Sequence, residues 1–329
     1  MDNIAKTLRF LLALPFAALC LAACTEQISF DVGEAEPRLC ISGYICDEPG
    51  QYAINISVTG AFFGNDSLPK ISDAEVDING TKLLPDPEKA GRYLTSDDFR
   101  AEQGGTYTLR VLLDFDNDGI KETYTATATT PEKVDLQYLL LQKLSNEADG
   151  PFMPFTTLIV FQDPKGPDYY GVHLYLTNAA DSASPYIRYK ISNTVSKYTM
   201  NYFDTDVEDG SLLFYPAYML SHRILYTEKD TLDIYPLDTL ELELNCHSPE
   251  YYDYLQQLND AASGSNPIFA TPAGPVKGNI SGGAYGAFGV YTVSRQKQAV
   301  PYYPGTWTDE QMTKRFGHDW RTLFDEQTE

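Results

Sequence analysis

Apolar and polar residues alternate along most of the chain. In YAINISV, Ile54, Ile56 and Val58 occupy every second position, and the apolar side chains of TYTLRVLL repeat this spacing over residues 107–113. Successive side chains of a strand point to opposite faces of a sheet, so a period of two indicates strands with one buried face. The pattern therefore predicts a fold that is mainly β.

Turn residues divide these strands into two groups. Between residues 37 and 131 the strands are short and follow one another at intervals of ~8–12 positions, with Asn79-Gly80 as a typical hairpin turn. This spacing predicts an N-terminal β-sandwich of Ig-like type. Strands resume after the segment PEKVDLQ, which predicts a second β-rich domain over residues 132–296. Two domains also suit the chain length, since domains usually contain ~100–200 residues.

Helical signals are confined to two places. HSPEYYDYLQQLNDAASG has Ser248 as the expected N-cap, Pro249 at the first helical position and Gly264 beyond the end. We expect this one short helix to pack against the second group of strands. In the tail over residues 297–329, Thr-Asp-Glu-Gln at positions 308–311 resembles a capping box and predicts a last short helix.

The first residues carry export signals. MDNIAKTLRF contains two basic residues, and the short apolar run LLALPFAALCLAAC follows, as is typical of a signal peptide. Leu-Ala-Ala-Cys at 21–24 resembles a bacterial lipobox, which implies a signal peptide over 1–23, an acylated Cys24 carrying lipid such as palmitate, and a lipid-anchored linker over 24–36. The alternatives are an ordinary signal peptide and an N-terminal anchor, although the run is shorter than the ~20 residues of a spanning helix.

Charge and cysteine usage narrow the choice of partners and cross-links. The formal net charge of −22 predicts repulsion from nucleic acid and from anionic lipid head groups. Beyond the lipobox the cysteines are Cys40, Cys46 and Cys246. Cys40 and Cys46 would lie ~20 Å apart on an extended strand, too far to bond without a turn. Either one could pair with Cys246, or all three could be free thiols.

Two longer motifs resemble a known family. They are G-Y-I-x-D-x-P-G in SGYICDEPG and N-I-x-G-G-x-x-G-x-F-x-V in GNISGGAYGAFGV. With the lipobox, and in this order, they resemble the Bacteroidetes lipoprotein family called domain of unknown function 4249, over about residues 37–296. The resemblance implies an envelope lipoprotein of the outer membrane, encoded near a TonB-dependent transporter. It also implies an N-terminal sandwich like a carboxypeptidase regulatory domain, and it brings no catalytic residues.

The segment LLDFDNDGIKETY is a candidate calcium loop. Its alternating aspartates and glycine match the front half of a D-x-D-x-D-G loop, in which hard oxygens wrap one ion. The twelfth position is Thr125 rather than a bidentate glutamate, and strand patterns flank the loop, so an Asp-Gly hairpin is expected first and a weak calcium site second. The candidate ligands are Asp114, Asp116, Asp118, the carbonyl of Ile120, and Glu122.

Signatures of enzymatic chemistry are missing from the sequence. It contains no G-x-S-x-G, no H-E-x-x-H and no phosphate-binding loop. Cys246 and His247 are adjacent, but neighbouring residues of a strand point to opposite faces, so they make a poor thiol–base pair. The sequence therefore predicts a protein that is not an enzyme.

The leading functional hypothesis is a binding or accessory lipoprotein that works with a TonB-dependent nutrient transporter. Aromatic side chains can hold glycan or peptide ligands, and six tyrosines occur as neighbouring pairs in which one ring could face the core and the other a ligand. One alternative is a structural or adhesive surface protein stiffened by calcium, and another is an envelope hydrolase with a dispersed active site. The candidate ligand-binding residues are Tyr169, Tyr170, Tyr251, Tyr252, Tyr302 and Tyr303.

Overall fold

The computed structural model describes most of the chain beyond the lipobox. The signal segment 1–23, Cys24 and the linker 24–36 lie outside the described residues. The described residues are 37–59, 71, 73–143, 155–177, 188–191, 201–204, 210–220, 223–225, 231–263, 276–303 and 306–324.

Eight strands come from the N-terminal part. They are β1 (Leu39–Cys46), β2 (Ala53–Val58), β3 (Glu75–Ile78), β4 (Thr81–Lys82), β5 (Leu84–Pro85), β6 (Arg92–Leu94), β7 (Thr106–Leu113) and β8 (Glu122–Thr129). The predicted alternation is confirmed, because Ile54, Ile56 and Val58 are all buried on one face of β2. Asn79 and Gly80 both have positive φ, as the predicted hairpin turn requires.

Ten further strands follow. They are β9 (Leu136–Lys143), β10 (Phe155–Gln162), β11 (Tyr169–Thr177), β12 (Arg188–Ile191), β13 (Asn201–Asp204), β14 (Leu212–Leu220), β15 (Arg223–Leu225), β16 (Thr231–Asp233), β17 (Thr239–His247) and β18 (Phe288–Ala299). The fold is thus mainly β, as the sequence predicts.

One large sheet connects the two halves of the chain. Its order is β12-β11-β17-β18-β1-β2-β6-β5, with β13 also paired to β11. β18 runs antiparallel to β17 and parallel to β1, with Gly43 opposite Phe288. A four-stranded sheet, β4-β3-β7-β8, and a three-stranded sheet, β14-β10-β9, complete the main layers, and β15 pairs with β16.

Two hydrophobic cores lie between these layers. The first packs Ile41 and Val111 with Phe288 and Val290 of β18, so a strand from beyond residue 131 completes the N-terminal sandwich. The second contains Leu240, Leu242 and Leu244 of β17 together with Phe161 and Tyr170. It also includes the tail residues Trp307, Met312, Trp320 and Phe324. The domain boundaries expected at 131/132 and 296/297 stay predictions.

Glycine permits the close approach that seats β18 beside β1. Gly286 has φ +98, and a Cβ there would lie 2.0 Å from the carbonyl oxygen of Ile41. The amide of Gly43 donates to the carbonyl of Ala287 at 3.1 Å in the same region. Any larger side chain at position 286 would push the two strands apart, which explains why small residues are needed in this motif.

Both predicted helices are present. Helix α1 (Pro249–Ser263) begins directly after Ser248, whose carbonyl accepts from the amides of Tyr251 and Tyr252. Ser248 thus takes the predicted N-cap position, but its hydroxyl is buried without a hydrogen-bond partner, so the side chain does not cap the first turn. Helix α2 (Asp309–Phe316) has the predicted capping box between Thr308 and Gln311. In the part of the chain that the structure describes, neither helix is long and apolar enough to cross a bilayer.

Candidate functional site

A cavity of about 780 Å³ lies between helix α1 and the outer face of the large sheet. Strands β1, β2 and β18 form its floor, and the start of α1 forms one wall. The lining is polar and aromatic, with Ser42, Asn55 and Gln51 among the uncharged polar groups. Its tyrosines are Tyr44, Tyr52, Tyr251, Tyr254 and Tyr291.

The alternation of the strands puts these side chains on one face. In β1, Ile41 and Ile45 are buried in the sandwich core, so the intervening Tyr44 points outward and is 45% exposed. Tyr44 pairs with Gly289 and Cys46 with Tyr291 in the parallel register. The missing side chain at Gly289 leaves room for the helix, because a Cβ there would lie 2.2 Å from the Tyr251 ring.

The tyrosine rings form two groups, which the ring of His247 links by contacting Tyr291 in one and Tyr251 in the other. The centroids of Tyr44 and Tyr291 are 5.3 Å apart, and those of Tyr44 and Tyr52 are 6.3 Å apart. Tyr251 and Tyr254, one helical turn apart, have nearly parallel rings at 6.4 Å. These separations are those of ordinary aromatic contacts. The cavity therefore offers an extended aromatic surface.

An ion-pair network forms part of the cavity lining. The Arg295 guanidinium donates to Glu48 and also to one oxygen of Glu243, at 3.0 Å from Nε and 2.9 Å from Nη2. Burial lowers the pKa of Arg295, but the hydrogen bond to Glu48 and the charge of Glu243 outweigh that effect, and its pKa lies above the ordinary value. Arg295 thus stays charged and holds both carboxylates in place.

Three phenols and one thiol of the cavity stay protonated at neutral pH. Burial raises the pKa of the Tyr52, Tyr254 and Tyr291 phenols. Burial likewise raises the pKa of the Cys46 thiol, which lies 2.9 Å from the Tyr52 hydroxyl. A protonated thiol is a poor nucleophile. The cavity therefore presents neutral hydroxyls rather than an activated cysteine.

Cys246 and His247 take opposite sides of β17. Cys246 belongs to the second core, where burial raises the pKa of its thiol to about 12. His247 lies on the other face, with its ring 5.3 Å from Tyr291 and 5.8 Å from Tyr251. Burial first, and then the charge of His173, lower the pKa of His247 to about 3. Cys40, Cys46 and Cys246 are all free thiols, which answers the question of their pairing.

The aspartate-rich segment is the predicted hairpin between β7 and β8. Leu113 pairs with Glu122, and the turn contains Asn117 and Gly119 with positive φ. Thr125, the twelfth position, lies within β8 and hydrogen-bonds Ser281 at 2.7 Å between hydroxyls. Thr125 therefore belongs to the strand and not to the group of candidate calcium ligands.

The four acidic side chains of this hairpin converge. Asp114, Asp116, Asp118 and Glu122 each offer an oxygen, and these atoms lie within 4.8 Å of one another. Two ligands on opposite sides of a calcium ion would be ~4.6–5.2 Å apart, given Ca–O distances of ~2.3–2.6 Å. The separation therefore suits one calcium ion.

Backbone amides orient each of these carboxylates through a single oxygen. Gly119 donates to Asp114 at 2.9 Å, Asp118 to Asp116 at 3.2 Å, and Ile120 to Asp118 at 2.7 Å. The amide of Phe115 donates to Glu122 at 2.8 Å. The second oxygen of Asp114 is buried without a hydrogen-bond partner. The role of the Ile120 carbonyl stays a prediction.

Comparison with known proteins decides the family. The profile of the family described as Domain of unknown function (DUF4249) matches residues 25–297. The chain belongs to the DUF4249 family. The match starts earlier than the motifs suggest and ends two residues before β18 does, so helix α2 and the buried tail lie outside it.

Other comparisons add little to this assignment. No curated protein matches this DUF4249 protein. Among solved structures it is similar to the native conformation of E. coli alpha-2-macroglobulin, with 12% identity and a TM-score of 0.21. That alignment covers 67% of this chain and 14% of the other. At so low a score the likeness carries no argument.

The six tyrosines expected at a binding surface have different positions in this DUF4249 protein. Tyr251 lines the cavity. Tyr252 is buried beneath the helix, with its ring 4.9 Å from Tyr169. Tyr170 is fully buried in the second core. Tyr302 packs between Trp307 and Phe324, and Tyr303 is half-buried against the same core.

Sequence reasoning missed most residues of the cavity. Tyr44, Tyr52, Tyr291 and Arg295 are separated by up to 251 positions, and nothing local links them. One signal was present, since Tyr44 is a large aromatic residue on the solvent side of an alternating strand. A single exposed aromatic residue is common on protein surfaces, so this signal could not identify the cavity by itself.

Proposed function

We propose that this DUF4249 protein is an outer-membrane lipoprotein, anchored through Cys24, that acts as a non-enzymatic binding component together with a TonB-dependent nutrient transporter. Support for the anchor comes from the lipobox at residues 21–24. The compartment and the transporter as partner rest on the resemblance of the lipobox and the two glycine-containing motifs to envelope lipoproteins encoded near such transporters.

The observation that carries the binding role is the tyrosine-lined cavity. Its volume of about 780 Å³ falls in the range of small-molecule sites, which is ~300–1,000 Å³. The phenols and the Cys46 thiol are neutral, so they offer no activated nucleophile. The two lining carboxylates, Glu48 and Glu243, both accept hydrogen bonds from Arg295, which engages the groups that a hydrolase would use as acid and base. A binding protein is therefore favoured over the alternative of a hydrolase.

The test is an affinity pull-down of the C-terminally tagged chain from detergent-solubilised outer membranes of its native host. We expect one TonB-dependent transporter to co-purify in near-stoichiometric amount. The matched control is Cys24→Ser, which should lose incorporation of labelled palmitate and recovery from the membrane fraction. Recovery of the lipidated protein alone would contradict the transporter partnership.

The second candidate is a structural or adhesive surface protein stiffened by calcium. The convergence of four carboxylates on the β7–β8 hairpin favours it. This role and the first are compatible, because the hairpin and the cavity involve different residues. Calcium-dependent adhesion of cells that display the protein, abolished by Asp114→Asn, would place this candidate first.

A further inference from the structure

The charges that line the cavity are nearly balanced. Arg295 is paired with Glu48 and Glu243, and Arg92 lies 3.4 Å from Asp86. The remaining lining cation, Lys89, is exposed to solvent, where its field is screened. In a chain with a net charge of −22 this balance is unusual. Such a cavity gives no electrostatic preference for either an anion or a cation.

Donors and acceptors alternate on its walls. Arg295 places N–H donors beside the acceptor oxygens of Glu48 and Glu243. The hydroxyls of Tyr52 and Tyr291 can each donate and accept a hydrogen bond. A ligand hydroxyl also donates and accepts at the same atom, so one such group can bridge a guanidinium and a carboxylate. A ligand with only acceptors or only donors would leave half of these wall groups unmatched, which is costly when they are buried.

The aromatic surface suits a ligand with apolar C–H faces. Tyr44 and Tyr291 present adjacent rings, with Tyr251 and Tyr254 on the helical wall. Aromatic faces carry partial negative charge, which attracts C–H groups polarised by neighbouring oxygens. A sugar ring combines such faces with hydroxyls at its edge. The cavity volume of about 780 Å³ leaves room for more than one ring.

We infer that the cavity binds a short, uncharged oligosaccharide, with Tyr44 and Tyr291 contacting the sugar faces and the Arg295–Glu48–Glu243 network contacting its hydroxyls. This inference rests on the proposed role of the protein as a binding component and names the class of its ligand. It does not depend on the proposed partnership with a transporter.

The experiment starts with the full-length protein in detergent on an array of neutral and charged glycans, with a library of tetrapeptides in parallel. The tightest neutral glycan is then titrated by calorimetry at 50 and 500 mM NaCl. We expect binding to neutral glycans, with affinity changing less than twofold between the two salt concentrations. A charged ligand would instead weaken with added salt.

Two tyrosine variants locate the site. Tyr44→Ala removes one exposed ring and should weaken glycan binding about two- to tenfold, from an aromatic contact of ~0.5–1.5 kcal/mol. The matched control is Tyr138→Ala on β9, where the ring is 60% exposed and does not line the cavity. It should bind like the wild type. Because both rings are exposed, both variants should fold, as checked by thermal melting.

The possible outcomes separate the inference from the proposed function. Binding of tetrapeptides or charged glycans alone, lost in Tyr44→Ala, would overturn the saccharide inference while leaving a binding protein. Glycan binding unaffected by Tyr44→Ala would overturn the assignment to this cavity. Binding of no compound class would overturn the inference, and the pull-down would then decide the partnership with a transporter independently.

Discussion

At the scale of single residues, His247 makes the stability of the fold depend on pH. Its pKa falls to about 3 in the folded protein, mainly through burial, whereas an unfolded histidine has a pKa of ~6.5. Between pH 3 and pH 6.5, His247 is protonated in the unfolded chain but neutral in the folded chain. The free energy of unfolding must therefore decrease as pH falls through 6.5.

We expect this residue alone to lower the free energy of unfolding by about 1.4 kcal/mol between pH 7.5 and pH 5.5. Urea titrations at the two pH values measure the change. Other groups also titrate in this range, so His247→Gln serves as the reference. The change in the free energy of unfolding between the two pH values should be about 1.4 kcal/mol larger in the wild type than in this variant. Equal pH dependence in both would show that His247 is readily protonated in the folded state.

The hairpin carboxylates also act at the residue scale. If calcium binds with a dissociation constant of ~1 mM, 10 mM calcium should stabilise the fold by roughly 1.4 kcal/mol. Asp114→Asn should abolish this gain, because it removes charge from the carboxylate whose second oxygen is buried and unpaired. Thermal melts with calcium, and with magnesium as the ionic control, measure the effect.

Glu88→Gln is the matched variant for that test, since it removes an exposed acid from outside the cluster. It should keep the full response to calcium. Stabilisation of the same size in Asp114→Asn would mean that the gain comes from screening of the acidic surface rather than from the hairpin.

At the scale of elements, the seating of helix α1 depends on Gly289. Gly289→Ala would place a methyl group 2.2 Å from the Tyr251 ring, so the helix must shift. We expect Gly289→Ala to lower the free energy of unfolding by about 1–3 kcal/mol, the usual cost of overpacking. The same substitution should cost less in a protein that already carries Tyr251→Ala. Gly50→Ala is the control, because its nearest contact would be an ordinary 3.7 Å. Equal melting temperatures for the two single variants would contradict this account.

Local elements could be predicted from the sequence because their causes are local. The alternation at Ile54 and Ile56, the turn at Asn79-Gly80 and the capping box at Thr308 all follow from nearby residues. The N-cap position of Ser248 was predicted in the same way, but the burial of its hydroxyl without a hydrogen-bond partner was not. Local propensity predicts the backbone position of a residue, whereas the hydrogen bonds of its side chain also depend on tertiary packing.

The cavity lay beyond prediction for a related reason. Alternation tells which side chains of β1 face away from the core, but not that β18 lies beside β1 or that α1 covers that face. The parallel pairing of β1 with β18 joins positions about 245 apart, such as Gly43 and Phe288. No local sequence pattern predicts a contact between such distant positions. The resemblance of SGYICDEPG and GNISGGAYGAFGV to one family indicated only that both segments belong to the same fold.

At the scale of the whole molecule, β18 links the two halves. Phe288 and Val290 are fully buried in the N-terminal core, where each contributes about 1.5–3 kcal/mol. Together they contribute about 3–6 kcal/mol, which is comparable with the lower end of the stability of whole domains, ~5–15 kcal/mol. Residues 37–131 alone would also expose the edge of β1, which invites aggregation.

We therefore expect fragment 37–131 to lack a cooperative thermal transition by circular dichroism. Joining residues 276–299 to its end through a flexible glycine–serine linker should restore β18 and cooperative unfolding. A linked version carrying Phe288→Ser and Val290→Ser tests whether those two side chains are the cause, and it should again fail to unfold cooperatively. If the bare fragment melts cooperatively near the temperature of the full chain, the N-terminal sandwich is an independent domain, and β18 only docks against it.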